Sequence, residues 1–167
     1  NAALPNGQGV VVGDGAVGTI VGGQEAGSDN TIAGNSAEGL WIHGAGTHGS
    51  RVQGNAVGMA RNRLDAVPNG GDGMLVSDGA HANLIGGGSV IEANYIFFNA
   101  GAGVRVRGQA TVGNTIRQNR MSANAGGGIV LEDGGNRMLA APVITRETVS
   151  TIEGIAPPNC IVEVFSD

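Results

Sequence analysis

The chain's only tryptophan and two of its three histidines share one short stretch, GLWIHGAGTHGS at 39–50. An indole beside imidazoles suits three chemistries: proton transfer, metal ligation, and a flat surface on which a sugar ring can stack. His81 is the third imidazole. Asp14, Asp78 and Asp133 each follow a glycine (Gly9, Gly73 and Gly128) by five residues, a recurrence that could supply calcium ligands or an acid–base pair. Arg105, Arg107, Arg117 and Arg120 crowd one segment, and guanidinium groups hold carboxylates or sulfates with two parallel hydrogen bonds. Ser36, Ser50, Ser77, Ser89 and Ser122 occupy turns, and no Gly-x-Ser-x-Gly elbow exposes any of them as a nucleophile.

The elements that must position these residues form a repeat. LPNGQGVVVGDGAVGTIVGG (4–23) matches VPNGGDGMLVSDGAHANLIGG (67–87), and NTIAGNSAEGLWIHG (30–44) matches NYIFFNAGAGVRVRG (94–108), 64 positions later. A shorter unit lies inside this duplication. Gly9, Gly39, Gly73, Gly103 and Gly128 each open a three-residue strand: VVV, LWI, MLV, VRV and IVL. Second strands are expected around Ile20, Val52, Leu84 and Ile116, with corners at Gly23, Asn55, Gly87 and Asn119. Third strands are expected around Ile32, Val57, Ile96 and Met121, with corners at Asn35, Asn99 and Asn124; Ala60 breaks that series. Glycine at this density costs about 1 kcal/mol per site in a helix, and the apolar period is two, so the units are strands. Strands without hairpin turns must pair with their equivalents in the next unit. That predicts a parallel β-helix, right-handed by the crossover preference.

Alternation along the first strand of each rung then sorts the candidates. Val10, Val12, Leu40, Ile42, Met74, Val76, Val104, Val106, Ile129 and Leu131 face inward as apolar ladders. Val11, Trp41, Leu75, Arg105 and Val130 face outward, beside a ladder of Gly13, His43, Ser77, Arg107 and Glu132. Trp41 and Leu75 with Val11 make an exposed apolar patch, His43 lies at its edge, and Arg105, Arg107 and Arg117 make a basic stripe. Asp14, Asp78 and Asp133 hold equivalent positions two rungs apart, about 9.6 Å for two strand spacings. They cannot share a calcium whose ligands lie at about 2.4 Å, and read as corner residues. Only Glu132 puts a carboxylate in the outward ladder of the first strands, so the paired acids of a glycosidase are not supplied there. The three histidines have no ligand spacing, and neither a metal nor a cofactor is expected. Corner asparagines suit left-handed backbone and can hydrogen-bond up and down the stack, as Asn35, Asn99 and Asn124 are placed to do. Residues 60–72, ARNRLDAVPNGGD, are too long for a corner and read as a loop.

Composition narrows the function classes. Glycine is 32 of 167 residues, charged residues are 14% and the net charge is −5, with arginine as the only basic type besides histidine. An acidic chain lacks the basic surface that nucleic acid requires. No apolar run approaches the roughly 20 residues of a membrane helix, and the single Cys160 cannot form an internal disulfide. The start at Asn1 without methionine or leader reads as an excised piece that began partway through a rung. After Gly135, APVITRETVSTIEGIAPPNCIVEVFSD alternates around a PPN turn and reads as antiparallel strands, either capping the coil or opening a β-sandwich.

NTIAGN, GLWI, GAGTHGSRVQGNAVG and VPNGGDGMLV resemble the parallel β-helix repeats of the pectin-lyase-like superfold. They are most similar to those of bacterial secreted and surface proteins built from many tandem rungs. The resemblance covers essentially the whole chain and implies the fold, while the same coil carries lyases, hydrolases, epimerases, adhesins and passive stalks. It transfers no catalytic residue. The expectation is an all-β chain: a right-handed parallel β-helix of about five rungs over 1–136 and a short antiparallel β segment over 137–167. Its expected role is a non-catalytic structural or adhesive segment of a larger extracellular or surface protein, with end-to-end self-association of the coil. The alternative is a polysaccharide-binding or polysaccharide-processing coil acting on a cell-surface glycan through Trp41, His43, Leu75, Arg105 and Arg107.

Overall fold

The computed structural model describes residues 5–25, 27–158 and 163. The first rung comprises β1 (Val10–Val12), β2 (Ile20–Gly22) and β3 (Thr31–Ile32). The second comprises β4 (Leu40–His43), β5 (Arg51–Gln53) and β6 (Ala56–Val57), and the third β7 (Met74–Ser77), β8 (Leu84–Gly86) and β9 (Tyr95–Phe97). The fourth comprises β10 (Val104–Arg107), β11 (Thr115–Arg117) and β12 (Arg120–Ser122), and β13 (Ile129–Glu132) opens a fifth. Equivalent strands stack in parallel, giving one five-stranded sheet, β1-β4-β7-β10-β13, and two of four strands. A single 3-10 turn (Gly135–Met138) then leads to the antiparallel pair β14 (Val143–Glu147) and β15 (Ile152–Ile155).

Inward residues fill the lumen. Leu40, Ile42, Met74, Val76, Val104 and Val106 are fully buried, while Ile129 on the open last rung is 49% exposed. Each fully buried aliphatic side chain contributes about 1.5–3 kcal/mol, so stacking supplies the main driving force. The glycine that opens each first strand has a steric reason. A Cβ on Gly39 would stand 2.7 Å from the Gly73 carbonyl oxygen of the next rung, whereas one on Gly128, in the last rung among the described residues, meets nothing within 4 Å.

Three columns of asparagine run up the coil, one at each corner. At the third corner, Asn35 donates to Asn69 Oδ1 (2.8 Å), Asn69 to Asn99 Oδ1 (2.8 Å) and Asn99 to Asn124 Oδ1 (2.9 Å). At the second, Asn30, Asn55, Asn94 and Asn119 are joined in the same way. At the first, Asn83 donates to Asn114 Oδ1 (2.9 Å), and the Asn114 amide donates to Asn136 Oδ1 (3.0 Å) in the 3-10 turn. Buried amides of this kind need partners for both their donors and acceptors, and each column provides them from the rungs above and below.

The structure corrects several expectations. The second strands centre on Val21 and Ile85, which pair with Val52 and Ile116; Ile20 lies outside, 62% exposed. Gly23 and Gly87 are not the equivalents of Asn55 and Asn119. They begin excursions over 23–29 and 87–93, after which Asn30 and Asn94 resume the column. The 60–72 loop is shorter than expected. Met59 bridges Ala66, and the chain is back in the stack by Val67, whose carbonyl accepts the Gly34 amide (3.2 Å), with Asn69 fully buried in the gap left by Ala60. Every residue of β14 and β15 is exposed. Of the strand expected at IVEVFSD, only Glu163 lies among the described residues; Cys160 is outside them.

Candidate functional site

The outer face of the five-stranded sheet carries the expected ladder, in register: Val11 beside Trp41, Trp41 beside Leu75, Leu75 beside Arg105, and Arg105 beside Val130. The Trp41 and His43 rings stack at 4.1 Å between centroids, and the His43 ring lies where a Cβ on Gly13 would be. The indole Nε1 donates to Ser77 Oγ (2.9 Å), which donates to Asp78 Oδ2 (2.8 Å). Leu75 is only 5% exposed, enclosed in register between Trp41 and Arg105, so the apolar patch reduces to Val11 and the half-buried indole.

Arg105 is not free to hold an anion. Its Nε donates to Asp72 Oδ2 (2.7 Å), its Nη2 to Asp72 Oδ1 (3.2 Å) and its Nη1 to Glu132 Oε2 (3.3 Å). The hydrogen bonds it donates to Asp72 raise its already high pKa, so the charge is permanent and neutralised in place. Asp72, which falls in the 60–72 loop of the sequence pattern, is buried. It stands just before β7, outside the strand register in which Leu75 is the neighbour of Arg105, so residue order gives no signal for this pair. Arg107 is exposed on the same sheet, Arg117 lies on the second sheet 3.8 Å from Glu163, and Arg120 lies on the third. The basic stripe therefore divides among three faces.

The histidines do not converge. His48 and His81 stack at 5.0 Å on adjacent rungs, while His43 lies against Trp41. Among the described residues, no group of three or more His, Cys, Asp or Glu side chains is arranged to hold a metal. Asp14, Asp78 and Asp133 take left-handed backbone (φ 53°, 55° and 50°) at their corners, a conformation aspartate tolerates better than most residues.

The structure also forms a cleft that the sequence pattern did not single out. The excursions over 23–29 and 87–93 leave the second corner on rungs one and three, while rung two turns there with Gly54 alone. The result is a notch of about 540 Å³ with Gly54 at its base. Glu92 ties the two walls together. It accepts from Gln24 Nε2 (2.6 Å) across the notch, from Gln53 Nε2 (3.2 Å), and from the Gly88 amide (2.6 Å) and Ser89 Oγ (3.0 Å) of its own loop. The Ser89 hydroxyl and then the Gly88 amide hold its carboxyl below the usual carboxylate range. Along one side, the Arg63 guanidinium lies 4.2 Å from the Tyr95 ring centroid and that of Arg120 5.3 Å. Arg63 comes from the 59–66 excursion and faces Asp29 at 3.7 Å. The signal was the length of the two inserts, VGGQEAGSDN against LIGGGSVIEAN, which the 64-residue match concealed because both halves carry one.

No curated protein and no solved structure matches the chain. The family model described as "Right handed beta helix region" matches residues 3–156, which include all three stacked sheets, all three asparagine columns and both walls of the cleft. With its three parallel sheets wound around one apolar lumen, the chain belongs to the right-handed beta helix family.

Proposed function

We propose that this coil is a non-catalytic structural and adhesive segment of a larger extracellular or surface bacterial protein. The observation that supports it is the use to which the buried polar groups are put: the three asparagine columns join each rung to the next. A solenoid so held is a rigid spacer whose stability adds from neighbour to neighbour. At the first rung, Val10, Val21 and Ile32 line an open mouth of about 360 Å³, which suits the stacking of another rung, including one from a second copy. Incubation with neutral and acidic polysaccharides, followed by chromatography for released fragments, tests the proposal. Intact polymer is expected, and any fragment released in proportion to protein would refute the non-catalytic role.

The second reading is glycan binding at the outer face of the five-stranded sheet, favoured by the stacked Trp41–His43 pair beside Val11, which is 52% exposed. Immobilised glycan should lose the protein on Trp41→Ala. Retention by the folded variant would remove this placement.

A further inference from the structure

The cleft at the second corner has a bipolar lining. Arg63 and Arg120 lie against Tyr95 on one side, and Glu25 and Asp29 belong to the 23–29 wall. The Arg120 side chain is exposed and has no hydrogen bond or ion pair among the described residues, while Arg63 Nη2 donates to Gly54 O at 3.4 Å and meets Asp29 at 3.7 Å. The 87–93 wall carries two exposed aliphatic residues, Val90 (78%) and Ile91 (62%), and Leu64 (79%) tops the 59–66 excursion. The cleft thus combines guanidinium groups for a carboxylate, carboxylates for an amide or amine, and aliphatic surface. A polyanionic chain would set its repeated charges against Glu25 and Asp29, and like charges brought together disfavour the wrong partner. A peptide brings a single carboxylate, amide donors and apolar side chains together.

We propose that this cleft recognises an extended protein segment in which an acidic residue is flanked by aliphatic ones. The carboxylate binds between Arg120 and Arg63, displacing Asp29 from Arg63. The neighbouring aliphatic side chains lie on Val90 and Ile91, and a backbone amide of the segment donates to Glu25 or Asp29. The two guanidinium groups are preorganised by Tyr95, which reduces the ordering cost of binding. The inference uses the cleft alone and does not depend on the structural role proposed above.

The test is an NMR titration of the full chain with the blocked tripeptide acetyl-Val-Glu-Val-amide, its Gln counterpart and a uronate hexamer. The expected result is saturable shifts at Ile91 and Tyr95 with the Glu peptide, and binding weaker by about tenfold or more with the Gln peptide, since a charge-assisted pair is lost. Arg120→Gln should remove that preference, and Arg120→Lys should restore part of it, because a point charge replaces a two-pronged donor. Unchanged asparagine-column resonances in both variants show that the coil is intact. Four results would overturn the proposal: no binding, shifts away from the cleft, equal binding of the two peptides, or tighter binding of the uronate hexamer than of the Glu peptide.

Discussion

Asn55 makes five side-chain hydrogen bonds from a fully buried position. It accepts from the Asn30 amide (3.2 Å) and Nδ2 (3.0 Å), and donates to Val21 O (2.9 Å), Gln53 O (3.1 Å) and Asn94 Oδ1 (3.0 Å). Asn30 is exposed, so water replaces the two bonds on that side after Asn55→Ala. The other three are enclosed, and at about 1 kcal/mol net for each the truncation should cost about 3 kcal/mol. Asn124 ends the column at the third corner with three such bonds, to the Asn99 amide (3.1 Å), Asn99 Nδ2 (2.9 Å) and Ile96 O (2.9 Å), but it is half-buried and water can take its place. Asn124→Ala should cost less than about 1 kcal/mol. Asn55→Asp keeps the shape but puts an acceptor opposite three acceptors, so it should be worse than alanine. Urea unfolding followed by circular dichroism measures all three. Equal costs for Asn55→Ala and Asn124→Ala would show that the columns hold the rungs no more tightly inside the coil than at its end, and would refute the additive picture.

Ser50 holds the place of an asparagine below Asn83: its amide donates to Asn83 Oδ1 (2.9 Å), while its buried Oγ has no partner among the described residues. Ser50→Asn should extend the first-corner column and raise stability by about 1 kcal/mol, with Ser50→Ala close to neutral; a loss of melting temperature in the asparagine variant would contradict this. Gly86 and Gly15 both have positive φ (88° and 80°), but a Cβ on Gly86 would run into the Arg117 carbonyl, whereas one on Gly15 meets nothing within 4 Å. Gly15→Ala should therefore cost about 1 kcal/mol and Gly86→Ala severalfold more, as read from denaturation midpoints. Glu92 has its pKa lowered in the fold, so its hold on the cleft walls is complete above the ordinary glutamate value and is lost as pH falls through the lower folded value. The Gln24 side-chain and Gly88 amide resonances should shift together in acid, and Glu92→Gln should abolish that titration.

Much of the architecture was legible in the residue order. The opening strands of all five rungs, the third strands and the asparagines at 35, 99 and 124 follow from period-two alternation and from residues suited to corners. The second strands were misplaced by one residue at Ile20 and Leu84, because adjacent apolar pairs, Ile20–Val21 and Leu84–Ile85, offer two registers and only stacking on Val52 chooses between them. Asn69 was hidden in a loop for a related reason: a column member is defined by what lies one rung away, not by its neighbours in sequence.

The candidate sites divide along the same line. That Trp41, His43, Leu75, Arg105 and Arg107 share one sheet and that the lumen is apolar follows from residue order alone, since side-chain direction along a strand is a local property. The cover over Leu75, the engagement of Arg105 by Asp72 and Glu132, and the cleft that excursions separated by a whole rung enclose beside Tyr95 arise in the folded coil. Those outcomes depend on contacts between residues 25 or more positions apart, which the winding of the coil brings within one or two rung spacings.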